Sequence, residues 1–209
     1  MIESPYETTE RPEIHDLIPA GARRVLDVGC NDGGFAGWLK RQAPDRYVVG
    51  VEPNPVQAAK ARARCDVVVV DRYPEALSQI EGDFDCVTFN HVLEHMVDPW
   101  EALRRTKERL AHNGCVVAVI PNTRYLALLF DLVIRGRWQY QPSGLLDRTH
   151  LRFFTHASIR PLFEEGGLKV DVLRRANRIG SERSPLASKV VGAILGDVAY
   201  GGFAVRAHA

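Results

Sequence analysis

Val25-Leu26-Asp27-Val28-Gly29-Cys30-Asn31-Asp32-Gly33-Gly34-Phe35 decides how this chain folds. Its first four residues read as a buried strand that is apolar except for one carboxylate. They run straight into a glycine-rich turn and then a helical period beginning at Phe35. Glycine lets the backbone turn tightly and approach a ligand closely, and Asn31 is one of the few other residues that tolerates left-handed backbone. Asp27, near the end of the strand, can accept hydrogen bonds from turn amides or from a ligand's ammonium group. That suits a cation and disfavours a phosphate.

Outward from this segment, short β-branched runs alternate with longer helical periods. Strands are expected over 24–28, 47–51, 66–70, 84–90 and 115–120, helices over 35–42, 55–64 and 100–111, and a turn at Asn113-Gly114. This is the pattern of repeated βαβ units and a mostly parallel sheet. Glu52 ends the second strand, followed by Pro53, at the sheet edge where open α/β folds bind ligands. Its carboxylate can take both hydroxyls of a ribose. After the third strand come Asp71 and Arg72, placed near an adenine edge.

Residues 121–150 break the rhythm. An apolar helix is expected over 125–134, then a stretch rich in Gly, Trp, Tyr and Gln, together reading as a lid or substrate insertion within a single domain spanning 1–209. A helix over 158–165 and strands over 168–173 and 200–207 follow, with a polar connection at 180–188 and a short apolar helix at 189–195. The total is about seven strands. Because helix 126–132 is apolar, it is expected to pack on the core.

The combination VLDVGCNDGG, VGVEPN, FDCVTFNHVLEHMVDP and LAHNGCVVAVIPN resembles class I S-adenosylmethionine-dependent methyltransferases over nearly all of residues 11–207. The resemblance implies a Rossmann-like α/β fold, a mixed sheet with its last strand antiparallel, and helices on both faces. It implies that Asp27, Gly29 and Gly33 hold the methionine part of S-adenosyl-L-methionine, Glu52 the ribose, Asp71 the adenine side, and Asn90 and His91 the neighbourhood of the sulfonium. Cys30, Asn31 and Phe35 belong to the same loop, Pro53 and Arg72 flank the two acids, and Arg11 is expected near the carboxylate. Asn31 stands where the family commonly has glycine.

Transfer to a hydroxyl needs a base, and histidines and carboxylates at the strand ends are the candidates. His91, Glu94 and His95 follow the fourth strand, at spacings that share one face if a helix begins there. The segment 144–155 holds Asp147, Arg148, Thr149, His150 and Arg152, and resembles a segment of bacterial methyltransferases of glycan and other sugar pathways. His150 is the expected general base, oriented by Asp147, with His95 as the alternative. Glu94, His95, Asp147 and His150 form a candidate Mg2+ site. Tyr125, Trp138 and Tyr140 suit stacking on a sugar ring or covering the sulfonium.

Composition narrows the field. At 209 residues, 45% hydrophobic and 25% charged, the chain is an ordinary globular one. A net charge of +1 with scattered Lys and Arg gives no general attraction to nucleic acid or anionic membrane. With no secretory signal at Met1–Glu10 and no membrane-length apolar run, a cytoplasmic location is expected. Cys30, Cys65, Cys86 and Cys115 show no metal-type spacing and read as reduced. The expected acceptor is a carbohydrate hydroxyl, on a small molecule or an oligosaccharide. A quinone or small-metabolite methyltransferase, an NAD(P)-dependent reductase and a non-catalytic binding module are the alternatives. The apolar helix or the C-terminal segment could bury a homodimer surface.

Overall fold

Valine, isoleucine and phenylalanine crowd the strands because a pleated strand covered on both faces wants branched and aromatic side chains at every position. The structure, a computed structural model, describes residues 9–178 and 196–209. Its strands are β1 (Arg24–Val28), β2 (Tyr47–Val51), β3 (Val67–Val69), β4 (Phe84–Asn90), β5 (Leu110–Pro121), β6 (Lys169–Arg178) and β7 (Tyr200–His208). They form one sheet in the order β3-β2-β1-β4-β5-β7-β6. The first five strands are parallel, and β7 runs antiparallel between β5 and β6. This is the Rossmann-like mixed sheet expected from the sequence.

The helices are α1 (Gly34–Gln42), α2 (Pro55–Ala61), α3 (Pro99–Lys107), α4 (Leu126–Val133) and α5 (His156–Glu165). Their starts carry local signals. Asn54 and Asp98 accept backbone hydrogen bonds from Val56 and Glu101, each just before a first-turn proline, and Thr155 with Ser158 forms a capping box. Strand alternation divides the core between the two faces. Leu26, Val28, Val49, Val51, Val87, Phe89, Val116, Ala118 and Ile120 pack on one side, and Val25, Val48, Cys86, Cys115, Val117 and Val119 on the other. None of the described helices is long and apolar enough to cross a membrane.

Several boundaries differ from the sequence expectation. Helix α3 stops at Lys107 rather than 111, and Asn113-Gly114 lies inside β5, where the register with β4 shifts between Phe84 and Cys86. Asn113 takes φ +64°, so the pair acts as a strand irregularity in place of a turn. The second difference concerns α4. Only Leu128 of this helix is buried, while Leu126, Phe130, Leu132 and Val133 are exposed, as is Ile134 just beyond it. Apolar composition predicts core packing, yet the helix leaves most of its apolar side chains exposed. The expected segments 180–188 and 189–195 lie outside the described residues.

Gly50 is set by contact rather than by backbone conformation. A Cβ added at Gly50 would stand 2.6 Å from Cys30 Sγ and 3.1 Å from Cys65 Sγ. Gly50→Ala is therefore expected to destabilise by about 1–3 kcal/mol through overpacking. Removing the sulfur in Cys30→Ala/Gly50→Ala should recover part of that loss. Urea midpoints of the two variants check this, and equal midpoints would refute the contact account.

Candidate active site

Because β1, β2 and β4 run parallel in register, their C-terminal ends open on one edge, and the loops that leave them carry the polar residues. Asp27 is opposite Gly50 of β2 and Thr88 of β4. Alternation puts Asp27, Thr88 and Asn90 on one face, so Thr88 Oγ1 donates to Asp27 Oδ1 at 2.7 Å and Asn90 Nδ2 at 3.3 Å. Asn90 Oδ1 is buried and accepts no hydrogen bond from the described residues. Burial pushes the Asp27 carboxyl up to about 6, against the lowering influence of Thr88, Arg11 and Asn90.

Asp27, Gly29, Cys30, Asn31, Phe35, Asn90 and Arg11 line one narrow cleft, joined by Thr9, Asp32 and Gly34. The first seven are residues singled out in the sequence. Gly29 and Asn31 take φ +68° and +49°, the left-handed turn the motif implies. A Cβ on Gly29 would also meet Val92 Cγ2 at 2.6 Å. Glu52 ties this loop to the next: its Oε2 accepts from Asn31 N and its Oε1 from Asn54 N, both at 2.9 Å. Burial raises its pKa while the two amides lower it.

Other candidates sit differently. Gly33 is turned to helix packing, since a Cβ there would stand 3.1 Å from the Ala61 backbone. Cys30 lines the cleft and is buried, and its thiol sits over Gly50 beside Cys65. Asp71 and Arg72 follow β3 and lie outside the cleft lining, with Asp71 accepting from Arg72 N and Gln79 Nε2 at 2.7 Å each. Pro53 is exposed beside Glu52, and Phe35 is buried and stacked on Trp38. Thr88 was not singled out, although a buried hydroxyl two residues before Asn90 on the same strand face is a readable signal.

His91, Glu94 and His95 do not share a helix. His91 takes φ +59°, and Leu93–His95 is a single 3-10 turn. The turn brings His91 Nδ1 to 3.3 Å from Glu94 Oε1 all the same. The end of the insertion is clamped to this turn, because Leu151 N and Arg152 N both donate to the Glu94 carbonyl, at 2.8 and 3.0 Å. That clamp puts the rings of His95 and His150 edge to face, with centroids 4.6 Å apart. The two histidines that compete for one role in the sequence are neighbours.

Their tautomers follow from their partners. His150 Nδ1 is 3.1 Å from the Leu145 carbonyl, and His95 Nδ1 is 3.3 Å from the Thr149 carbonyl and 2.9 Å from Thr149 Oγ1. A carbonyl only accepts, so each Nδ1 carries the proton and each neutral ring keeps its lone pair on Nε2. Burial lowers the His150 pKa, which keeps that ring neutral near pH 7. Asp147 was expected to orient His150 and to join a metal site. Instead it is buried and accepts from Thr149 N at 2.7 Å and Thr149 Oγ1 at 2.6 Å, so it supports His95 through Thr149. Among the described residues, donor atoms of Glu94, His95 and His150 lie within 4.8 Å of one another, without Asp147.

A wider concavity of about 860 Å³ lies elsewhere, lined by Pro74, Leu77, Ser78, Arg105 and Arg109. Arg109 there is committed to the carbonyls of Leu77, Ile80 and Gly82, which makes it a structural tie.

Comparison with known proteins gives a family match over residues 8–173, to the family described as "Methyltransferase domain". Relatives include a putative methyltransferase of Geobacillus sp. (strain WCH70), 26% identical over 141 residues, covering 63% of this chain and 57% of the relative. Another is a ubiquinone biosynthesis O-methyltransferase of Azorhizobium caulinodans, 29% identical over 168 residues, with 77% and 64% covered. The chain thus spans less than two thirds of the length of either relative. A solved structure of an S-adenosylmethionine-dependent methyltransferase from Archaeoglobus fulgidus shares the fold, with TM-score 0.69, 20% identity, and 93% and 90% of the two chains covered. One from Mesorhizobium loti shares it with TM-score 0.64 at 16% identity, over 96% and 97% of the two chains.

The buried Asp27 sets a pH signature. Its carboxyl is raised from 3.8 to about 6, so between those values the native protein binds more protons than the unfolded chain, and stability falls as pH rises through that window. Asp27→Asn lacks this loss. Above pH 7 it should exceed the parent in unfolding free energy by up to about 3 kcal/mol, with the gap closing towards pH 4. Urea unfolding at pH 4.5 and 7.5 measures it, and a gap independent of pH would refute the assignment.

Proposed function

Because the chain belongs to the methyltransferase-domain family, we propose that it transfers a methyl group from S-adenosylmethionine to a hydroxyl of a small molecule. The observation that carries this reading is the cleft at the ends of β1 and β4. Among the described residues it holds a buried carboxylate with no cation hydrogen-bonded to it and an Asn90 carbonyl oxygen without a donor, which together fit an ammonium-bearing ligand. Asp27, Gly29 and Asn31 would hold the methionine part, Arg11 its carboxylate, and Glu52 the ribose through the lone pairs its two amide bonds leave over. When bound, S-adenosylmethionine supplies a methyl group on a sulfonium, whose displacement needs little beyond a well-placed acceptor.

The acceptor side is assigned to His95 and His150, beyond Asn90 and His91 on the same strand edge. In the metal-free protein, Nε2 of His150 takes the proton of the acceptor hydroxyl, since its Nδ1 is committed to the Leu145 carbonyl. The carbohydrate acceptor suggested by the 144–155 segment gives way to a quinol- or phenol-type hydroxyl. Relatives named for ubiquinone biosynthesis favour it, and the exposed Phe130, Tyr140 and Phe153 around the insertion offer an apolar approach.

Calorimetric titration with S-adenosylmethionine, S-adenosylhomocysteine, NADH and NADPH tests the cofactor. Saturable binding of the two adenosyl compounds alone is expected, and binding of the nicotinamides alone would promote the reductase. Glu52→Ala should weaken cofactor binding about ten- to hundredfold through loss of charged hydrogen bonds. His150→Ala should keep that binding and lose most turnover on phenolic acceptors. Near-normal turnover would move the proton to His95.

A further inference from the structure

Glu94 sits on the 3-10 turn that follows β4. It is fully buried, and among the described residues neither carboxylate oxygen accepts a hydrogen bond. An uncompensated buried carboxylate is costly, and such groups normally protonate, pair or bind a metal. Nearest to Glu94 Oε1 are His91 Nδ1 at 3.3 Å and His150 Nε2 at 4.0 Å. Its backbone carbonyl takes the amides of Leu151 and Arg152.

The side chains around it are arranged as metal ligands usually are. A ligating imidazole typically donates its other ring N–H to a carbonyl or carboxylate, which sets the tautomer and aim of the ring. Here His150 gives Nδ1–H to the Leu145 carbonyl. His95 gives Nδ1–H to Thr149 Oγ1, whose own hydrogen goes to Asp147 Oδ1. Both rings are thereby left with the Nε2 lone pair, and donor atoms of Glu94, His95 and His150 converge within 4.8 Å.

We propose that Glu94, His95 and His150 bind one divalent transition-metal ion of the Zn2+ class, with Asp147 and Thr149 as its outer shell and an open position facing the cofactor cleft. Two imidazoles and one carboxylate suit such an ion. Mg2+, the ion suggested by sequence, demands oxygen ligands in near-octahedral array. Bonds of about 2.0–2.2 Å would draw the three donors closer than they stand in the metal-free arrangement. The site deepens the methyltransferase reading without depending on the cofactor. An ion there would occupy Nε2 of His150, and the acceptor's oxygen, held in the open position, would lose its proton more readily. The proton then passes to solvent, and His150 acts by holding the metal.

The test uses the full chain stripped with EDTA and titrated with Zn2+, and separately with Co2+, whose visible spectrum reports coordination. One ion per chain is expected, with intense four-coordinate Co2+ bands and no displacement by millimolar Mg2+. Glu94→Gln and His150→Ala should abolish the bands. Thr149→Val, which keeps all three ligands, should weaken binding about 10- to 100-fold, and far-UV circular dichroism controls for folding. Absence of saturable binding, a preference for Mg2+, or bands that persist in folded His150→Ala would overturn the site. S-adenosylmethionine binding is read separately: if it persists while the metal does not bind, only the metal site fails, whereas metal binding without it removes the methyltransferase reading alone.

Discussion

Asp27 lies in register with Gly50 on one side and Thr88 on the other, and this placement constrains the whole ligand edge of the sheet. A carboxylate in the interior of a parallel sheet is tolerable only beside donors, which Thr88 and Asn90 provide from the same face of β4. Gly50 opposite leaves room for the Cys30 sulfur, so the loop after β1 can fold back over β2. From there Glu52 ties that loop to its own, and the amides of Asn31 and Asn54 share one carboxylate. A single strand register thus positions the cation-seeking group, the loop beside it and the second acid.

A second constraint joins the insertion to the sheet. The Glu94 carbonyl takes two consecutive amides from Leu151 and Arg152, which fixes where the chain must re-enter after residues 121–150. Arg152 reinforces the junction by donating from its guanidinium to the Val97 carbonyl. The consequence is chemical as well as architectural, because the clamp sets His150 against His95 and over the Glu94 carboxylate. Groups separated by more than fifty residues become one constellation, and the tautomers of the two imidazoles are set by backbone carbonyls on the insertion itself.

The fold and most of the candidate cleft are legible from local pattern. Strands β1, β2 and β4 fall where alternation and glycine turns place them, and Asp27, Gly29, Asn31 and Asn90 line a common cleft because residues at parallel strand ends share an edge. Helix α4 departs from the sequence expectation for a definite reason. Its composition is apolar but for Asp131, and composition cannot distinguish a helix buried in a core from one left exposed. Gly33 and Cys30 also have packing partners that the loop motif does not reveal, because Ala61 in one case and Cys65 in the other come from distant sequence.

What the amino-acid order determined by itself was the alternation of strands and helices, the left-handed turn after β1, and the acids at strand ends, since each depends on neighbours within a few residues. The partners of His95, His150, Glu94 and Asp147 were decided by tertiary structure alone. Which nitrogen of an imidazole carries its proton, and whether a carboxylate is hydrogen-bonded or bare, depends on groups that meet only when the insertion closes back on β4. Distance along the chain carries no record of that meeting.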